Sequence, residues 1–534
     1  MSRPPRPGLI LALVCLPVFI GALDLTIISA VLPAVIADLK IPLRTGLADA
    51  AWAVNGYLLA YAISMTFMGR VSDVWGRRRV YLACLAIFFL GSWLAAASGG
   101  LPAQAAYRIT QWIVGGRPDR SLTALYALIF GRVVQAFGAG AMVPVSMALV
   151  ADLYPPERRA LPLGVVGAVD TAGWVLGHLY GGIMVQFFAW PFLFWINLPI
   201  VAVMFGLTAW ALRGLAASRA GGRIDLIGAA LIAIALVGLN LGLGGSETTG
   251  SGRTVPPSYA LPALAVGVIG LLLFLWAERR IDQLHLNLRI FGNRNVAAAN
   301  ALKLLVGFCL MVGLVSVPLF INIAGAQNSG QGALVSGYLL LAFTVPMALA
   351  AIPGGLLADR LGYRWSAALG VIAALGGFGL MNQWQPEMAG QAVEFVGQLS
   401  QASTESVAGT LRMAAGLLVA GVGLGLTIAP IGTAAINGVA ETERGMAAAL
   451  VIILRLIGMS LSVSTLTAYG LQRSTTLSQL LLKDAPLSDL ARLAEVAMQV
   501  ATRVTVEMSL IAAAVCAVAI VPLWLLSHRD IASQ

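Results

Sequence analysis

Charged side chains are scarce in this chain of 534 residues. Lysine, arginine, aspartate and glutamate make up 10% of it, hydrophobic residues make up 59%, and the mean hydropathy is +0.88. A soluble domain carries about 25% charged residues. The composition therefore excludes a water-soluble protein and predicts an integral membrane protein.

Cysteine and histidine are also rare, with four cysteines and three histidines. The cysteines lie singly inside apolar runs, so their spacing fits neither a metal site nor a disulfide framework. We find no His/Asp/Glu metal spacing, no nucleophile elbow and no phosphate-binding loop. The sequence thus predicts no enzyme, no cofactor and no metal.

The net charge of +10 has no basic face to go with it. Basic residues are scattered among short loops without interleaved aromatic residues, so no nucleic-acid partner is predicted. Basic residues accumulate in the cytoplasmic loops of membrane proteins, which explains the charge better.

Apolar runs long enough to cross a membrane recur along the chain. Fourteen are predicted, at 9–36, 50–68, 80–98, 122–150, 161–186, 191–212, 224–243, 259–277, 296–322, 333–357, 365–381, 411–436, 446–470 and 504–526. An even number places both termini on one side, and the basic loops predict that this side is the cytoplasm. The first run lacks a small-residue cleavage site, so we interpret it as a retained span.

A short basic turn appears twice. It reads Gly-Arg-Val-Ser-Asp-Val-Trp-Gly-Arg-Arg-Arg over 69–79 and Gly-Leu-Leu-Ala-Asp-Arg-Leu-Gly-Tyr-Arg over 355–364, with Gly, Asp and Gly at the same offsets. A merely basic loop would explain the arginines but not this spacing. Two such copies are typical of transporters built from two halves. The candidate switch residues are Gly69, Asp73, Gly76, Arg77, Asp359, Arg360 and Gly362.

Asp73 is the only acid of the first turn. Its carboxylate could accept hydrogen bonds from a helix N-terminus or pair with Arg77, in a contact that can be made and broken.

These turns resemble the loop between the second and third helices of the major facilitator superfamily and its second-half copy. The spans, together with stretches at 23–33, 194–199 and 225–228, resemble the fourteen-span drug:proton antiporter family. The resemblance implies an all-α membrane protein with the major facilitator fold and fourteen transmembrane helices arranged 6+2+6. Its two pseudo-symmetric halves would be a six-helix bundle at 1–213 and another at 295–534, with two linker helices at 214–294.

Two extracytoplasmic segments are expected in the second half, near 382–410 and 471–503. The second has apolar residues at helical spacing. It is either an amphipathic helix or pair of helices resting on the membrane surface, or a projection of spans 13 and 14 that forms a vestibule.

Ionisable residues inside spans cost at least about 2.5 kcal/mol on insertion scales, so each is a functional candidate. Asp24 falls near the middle of span 1, where loss of water favours the protonated carboxyl and suits a proton carrier. A carboxylate held by an arginine for packing alone is the alternative. Asp170 and Arg455 belong to different halves and could form an ion pair that protonation breaks. Lys303 is predicted to reach back to the membrane interface.

Two motifs gain a role from the resemblance. Arg132 in span 4 occupies the position of an arginine that the family uses in proton transfer. Because a guanidinium keeps its proton, it would act on Asp24; a purely structural ion pair is the alternative. His178 stands where the family's span 5 motif has proline, and it either titrates near physiological pH or bonds a backbone carbonyl. The glycines of that antiport motif, which also provide a smooth packing face, are Gly164, Gly173, Gly177, Gly181 and Gly182.

The main functional expectation is a secondary transporter of multidrug type that exports lipophilic or amphiphilic compounds by proton-coupled alternating access. The alternative is an exporter of triacylglyceride-like lipids to the outer face, because the stretches at 163–169 and 175–181 resemble the branch that does this in mycobacteria. A nutrient importer of the same fold is less favoured. The expected partners are a lipophilic molecule or lipid, protons, membrane lipids and an extracytoplasmic protein. The chain is expected to act as a monomer in the cell membrane.

Overall fold

The computed structural model describes residues 7–41, 43–114, 119–154, 160–213, 226–244, 247–248, 254–255, 257–280, 291–324, 329–397, 403–439, 444–482 and 490–526. Within these ranges the chain is helical apart from a two-stranded antiparallel ladder, β1 (Glu247–Thr248) with β2 (Thr254–Val255). The all-α prediction is therefore confirmed.

The helices of the first part of the chain are α1 (Pro7–Asp38), α2 (Leu43–Trp75), α3 (Arg77–Ala96), α4 (Leu101–Val114), α5 (Arg120–Leu153), α6 (Ala160–Phe187), α7 (Phe192–Trp195) and α8 (Asn197–Ala211). The middle pair is α9 (Leu226–Gly244) and α10 (Ala260–Arg280). The last part has α11 (Arg294–Ala324), α12 (Ser329–Leu361), α13 (Tyr363–Leu380), a 3-10 turn (Met381–Gln383), α14 (Pro386–Gly397), α15 (Thr404–Asn437), α16 (Arg444–Leu481) and α17 (Leu490–Leu525).

Twelve helical segments of the described chain are long and apolar enough to cross a membrane. The helices α2 and α6, with 33 and 28 residues, are outside this set of twelve but pack inside the same bundle. A multi-pass membrane protein is therefore confirmed, whereas the count of fourteen spans stays a prediction.

The first and last parts repeat one helix pattern. Helix α2 runs from 43 to 75 and α12 from 329 to 361, a shift of 286 residues at both ends. The same shift takes the start of α3 at 77 to the start of α13 at 363. Packing repeats too, because α1 lies on α6 as α11 lies on α16, and α3 lies on α5 as α13 lies on α15. The two parts meet along two seams, α6 against α12 and α2 against α16.

The side of the bundle where α1 begins is the N-terminal face. The opposite side is the distal face. Helices α1, α3, α6, α11, α13 and α16 begin at the N-terminal face. Both basic turns lie at this face, between α2 and α3 and between α12 and α13.

Helices α16 and α17 are longer than a bilayer requires. Their 38 and 36 residues span about 57 and 54 Å, while the hydrocarbon core is about 30 Å thick. Residues up to Leu481 continue α16 without a break, and α17 begins at Leu490. Leu477 of the first and Val496 and Val500 of the second pack on each other. The described part of the 471–503 segment thus continues helices α16 and α17, and its projection beyond the membrane as a vestibule stays a prediction.

Candidate functional site

Asp24 lies at the centre of a buried polar cluster in the first part of the chain. Its side chain is 1% exposed. Carboxylate Oδ2 accepts hydrogen bonds from Gln135 Nε2 at 2.6 Å and from Asn197 Nδ2 at 2.8 Å. Gln135 also donates to Ser92 Oγ at 2.9 Å. Helices α1, α3, α5 and α8 therefore meet at one carboxyl group.

Arg132 joins this cluster without binding the carboxylate directly. Its Nη2 donates to the backbone carbonyl of Asp24 at 2.8 Å, and its Nη1 donates to Gln135 Oε1 at 2.7 Å. The guanidinium carbon lies 3.9 Å from the ring centroid of Tyr57 and 5.6 Å from that of Phe194. Aromatic faces stabilise a buried cation. The structure places Arg132 next to Asp24, and a backbone carbonyl and an amide make the contact instead of an ion pair.

Gln135, Asn197 and Ser92 were not singled out from the sequence. Neutral amides and hydroxyls cost less in a membrane span than charged groups do, so the sequence does not mark them as functional candidates in the same way. One signal existed for Gln135, which lies three residues after Arg132 and so shares its helix face.

A second cluster joins the two parts of the chain. The Asp170 carboxyl on α6 lies near the Arg455 guanidinium on α16 and the Tyr61 phenol on α2, and its Oδ1 has no hydrogen-bond partner among the described residues. The Arg455 guanidinium carbon lies 4.5 Å from the ring centroid of Trp174, one turn beyond Asp170. The structure thus brings the predicted acid and base near each other, and their ion pair stays a prediction.

Two tyrosines of α2 connect the clusters. Tyr57 contacts Arg132 and stacks on Tyr61 with ring centroids 6.0 Å apart. Tyr61 in turn lies near Asp170. The two tyrosines therefore lie between the Asp24 cluster and the Asp170 and Arg455 side chains.

The span 5 glycines are where α6 touches other helices most closely. A side chain at Gly173 would collide with Phe19 and Ala22, and one at Gly177 would collide with Thr26 and the Leu23 carbonyl. Gly181 faces Ile27 in the same way, whereas Gly182 meets Ala333 of α12 across the seam. These glycines therefore hold α6 against the segment of α1 that carries Asp24. The side of the helix at Gly164 lies outside what the structure describes.

His178 is fully buried at the distal end of this contact, and α6 passes through it without interruption. Its Nε2 is 2.9 Å from Ser29 Oγ of α1. The imidazole thus bonds a serine hydroxyl, rather than the backbone carbonyl considered from the sequence.

The two basic turns make matching contacts at the N-terminal face. Arg77 pairs with Asp152 and donates to the Ala148 carbonyl at the end of α5. In the second turn the equivalent position is Tyr363, whose hydroxyl accepts from Asn437 Nδ2 at the end of α15 at 2.9 Å. An ion pair in one part thus corresponds to a neutral hydrogen bond in the other.

Gly76 and Gly362 begin α3 and α13 with φ of +94° and +83°. Only glycine adopts such angles readily, which explains their identical offsets. Asp359 and Arg360 are exposed. The Asp73 side chain lies outside the described part, so its predicted pairing stays a prediction.

A cavity of about 480 Å³ opens between α1, α2, α11, α16 and α17. Its floor includes Ser29, the residue that contacts His178, and it continues outward along α16 to Gln479 and α17 to Ala497. Its walls are mainly leucine, valine and other apolar residues, with a few serines, threonines and one glutamine. In the described chain no charged side chain lines it.

Lys303 lies inside the bundle. It is 4% exposed, and its Nζ is 3.4 Å from the Ile428 carbonyl of α15. The prediction that it reaches the membrane interface is therefore wrong, because the neighbouring helices enclose it on both sides. Across the described ranges, no group of three or more His, Cys, Asp or Glu residues is placed to hold a metal ion.

Comparison with known proteins agrees with this architecture. Residues 14–463 match the Major Facilitator Superfamily. The probable triacylglyceride transporter of Mycobacterium leprae is 31% identical over 97% of this chain and 96% of its own length. The triacylglyceride transporter of Mycolicibacterium smegmatis is 32% identical over 86% of this chain and 75% of its own.

Solved structures share the fold at low identity. A D-xylose–proton symporter has a TM-score of 0.54 at 13% identity, covering 95% of this chain and 97% of its own. A bacterial homologue of the human lysosomal transporter Spinster, in an inward-facing state, has a TM-score of 0.54 at 15% identity, covering 98% of each chain.

Proposed function

The chain belongs to the major facilitator superfamily, and from this premise we propose that it exports triacylglyceride-like lipids by proton-coupled alternating access. Its family and the names of its relatives indicate a transporter rather than an enzyme.

The cavity is the observation that carries the substrate class. Its volume of about 480 Å³ falls within the range of small-molecule sites, and its uncharged apolar walls suit acyl chains. Because it runs along the distal ends of α16 and α17, it would provide a route from the bilayer interior past the distal headgroups. It would then serve as the vestibule of the 471–503 segment, where an extracytoplasmic partner protein would receive lipid.

Asp24 is the proposed proton carrier. Protonation would remove the charge that Gln135 and Asn197 now stabilise at 2.6 and 2.8 Å. Arg132 is held by the same glutamine and by Tyr57, so it would respond to the change. The tyrosine contacts would transmit it to Asp170 and Arg455, which lie on opposite sides of a seam between the halves.

Rocking of two bundles is the proposed movement. Residues 1–213 and 295–534 would be the six-helix halves, with the linker spans at 214–294 completing a fourteen-span layout that works as a monomer. The termini would be cytoplasmic, so the N-terminal face is the inner one. The Arg77–Asp152 pair and the Tyr363–Asn437 bond would be the contacts made and broken at that face.

The multidrug interpretation has less support. A pump for lipophilic cations needs an acid in its cavity, and Asp24 and Asp170 are both buried away from the cavity described above. The relatives' names also favour lipid.

The test is a substrate comparison in proteoliposomes. A fluorescent triacylglyceride and a lipophilic cationic dye would be offered to the same preparation, with empty liposomes as the control. We expect lipid movement well above the control and little dye movement. Dye movement without lipid movement would restore the multidrug interpretation.

A further inference from the structure

Lys303 is the one buried cation of the described membrane interior that the proposed mechanism leaves unused. The contact of its ammonium is the Ile428 carbonyl at 3.4 Å, which is longer than an ordinary N–H···O hydrogen bond. A lysine that is 4% exposed and so weakly bonded is costly for the fold.

Arg455 lies at the same depth on the neighbouring helix. Gly307 of α11 packs against the Arg455 backbone, and Gly458 of α16 packs against the Leu304 carbonyl. Both contacts lie within four residues of Lys303 along α11, which places its ammonium close enough to the Arg455 guanidinium for the two cations to repel each other. Arg455 Nε has no hydrogen-bond partner among the described residues.

The charges of this layer do not balance. Asp170 is the acid that faces Arg455, and the phenol of Tyr61 is neutral. The layer thus holds two cations and one carboxylate. By contrast, Asp24 and Arg132 form a balanced set. A buried charge without a counter-charge costs several kcal/mol, which a bound anion would remove.

Movement of the halves would expose the surplus cation. Asp170 and Trp174 belong to α6, whereas Lys303 and Arg455 belong to α11 and α16. If the two halves separate at the N-terminal face, Asp170 moves away together with the first half of the chain. The two cations then line the opening together.

We infer that Lys303, with Arg455, binds the anionic headgroup of an amphiphilic lipid, a carboxylate or a phosphate, that enters from the N-terminal face. An ammonium and a guanidinium recognise both groups through charge-assisted hydrogen bonds. The inference rests on the proposed lipid export and extends its substrates from neutral to anionic lipids.

The test measures binding rather than transport. The purified chain in a neutral maltoside detergent is titrated with oleate and oleoyl lysophosphatidic acid, and with mono-olein and oleamide as neutral lipids of the same chain. Binding is followed by tryptophan fluorescence and by the shift of the melting temperature. We expect at least one anionic lipid to bind about tenfold more tightly than the neutral ones, as expected for one charge-assisted bond. Whichever of the two binds identifies the headgroup.

Three variants decide whether Lys303 is responsible. Lys303→Met should lose the preference, Lys303→Arg should retain it, and Lys40→Met should leave it unchanged because Lys40 is exposed at the distal face. If Lys303→Met does not fold, Lys303→Gln replaces it. Equal affinities in the wild type, or a preference that survives loss of the ammonium, would overturn the inference. Because no transport is measured, failure of lipid export would not be mistaken for failure of this site.

Discussion

Gln135 is the residue on which the Asp24 cluster depends most. Its amide contacts Asp24, Arg132 and Ser92 on three helices. Hydrogen bonds to charged groups are worth about 1.5–3 kcal/mol each. Losing it would leave two buried charges less well bonded.

Gln135→Leu should therefore lower the free energy of unfolding by about 2–3 kcal/mol and impair proton-driven transport. Thermal unfolding in detergent measures the first effect. Gln499→Leu, whose amide bonds only Glu495 of its own helix at the surface of α17, is the control and should change stability little. Equal stability of the two variants would show that the cluster is not organised by Gln135.

The turn glycines separate a backbone requirement from a packing one. Gly76 needs a positive φ of +94°, so Gly76→Ala should cost about 1–2 kcal/mol. Gly69 is helical, and an added methyl would meet only Pro144 at an ordinary 3.5 Å. Gly69→Ala should accordingly be neutral or slightly stabilising. Matched melting temperatures check this, and a reversed order would contradict the account of the motif.

Among helices, α9 is fastened to both parts of the chain by one buried polar cluster. Asn55 of α2 donates to Asn240 of α9 at 3.0 Å and to Ser464 of α16 at 2.6 Å. Ser460 and Ser464 both donate to Asn240 Oδ1, at 3.0 and 2.8 Å. Helix α9 thus closes the α2–α16 seam with several buried bonds, whereas the α6–α12 seam has a longer bond of 3.5 Å from Thr344 Oγ1 to the Val175 carbonyl.

Asn240→Leu should leave Asn55, Ser460 and Ser464 short of partners and cost about 1–2 kcal/mol, since interhelical bonds in membranes average about 0.6 kcal/mol each. The control is Thr465→Ala, whose hydroxyl bonds only carbonyls of its own helix. Thermal unfolding of both variants is the measurement. A larger loss for the threonine variant would argue against the clamp.

The projecting helices allow a test of the lipid route. Ser474 lines the cavity on α16, whereas Thr476 is exposed on the same helix. Ser474→Asp places a charge in the apolar path and should reduce lipid transport by tenfold or more, because desolvating a charge costs several kcal/mol. Thr476→Asp should transport normally. Similar activity of the two variants would mean that lipid does not pass along α16.

At the scale of the whole molecule, the sequence predicts a repeated helical membrane protein, and the structure repeats its helices at a shift of 286 residues. That prediction succeeds because each of its signals depends on a short stretch of sequence: apolar runs form the membrane helices, and glycines with positive φ form the turns between them. The prediction that Asp170 pairs with Arg455 rests on the scarcity of charges in spans, and the structure places the two side chains near each other. The bond from Asn197 to Asp24 and the Asn55–Asn240 contact could not be predicted. The sequence does not show which neutral amides will meet, because only the tertiary fold brings them together.

Lys303 is a residue for which the prediction from the sequence fails. A lysine about one-third of the way along a span is expected to reach for water, and the prediction fails because α15 and α16 enclose it. Which helices surround a residue depends on tertiary packing, which local patterns do not encode.

The central claim is that protonation of Asp24 drives lipid across the membrane, and proteoliposomes with an imposed pH gradient test it most directly. Movement of a fluorescent triacylglyceride is compared among the wild type, Asp24→Asn and Asp38→Asn, the last at an exposed position of the same helix. We expect the gradient to drive lipid movement in the wild type and in Asp38→Asn, and movement to stop when the gradient is collapsed or Asp24 is replaced. Gradient-driven movement of equal size in Asp24→Asn would contradict the account.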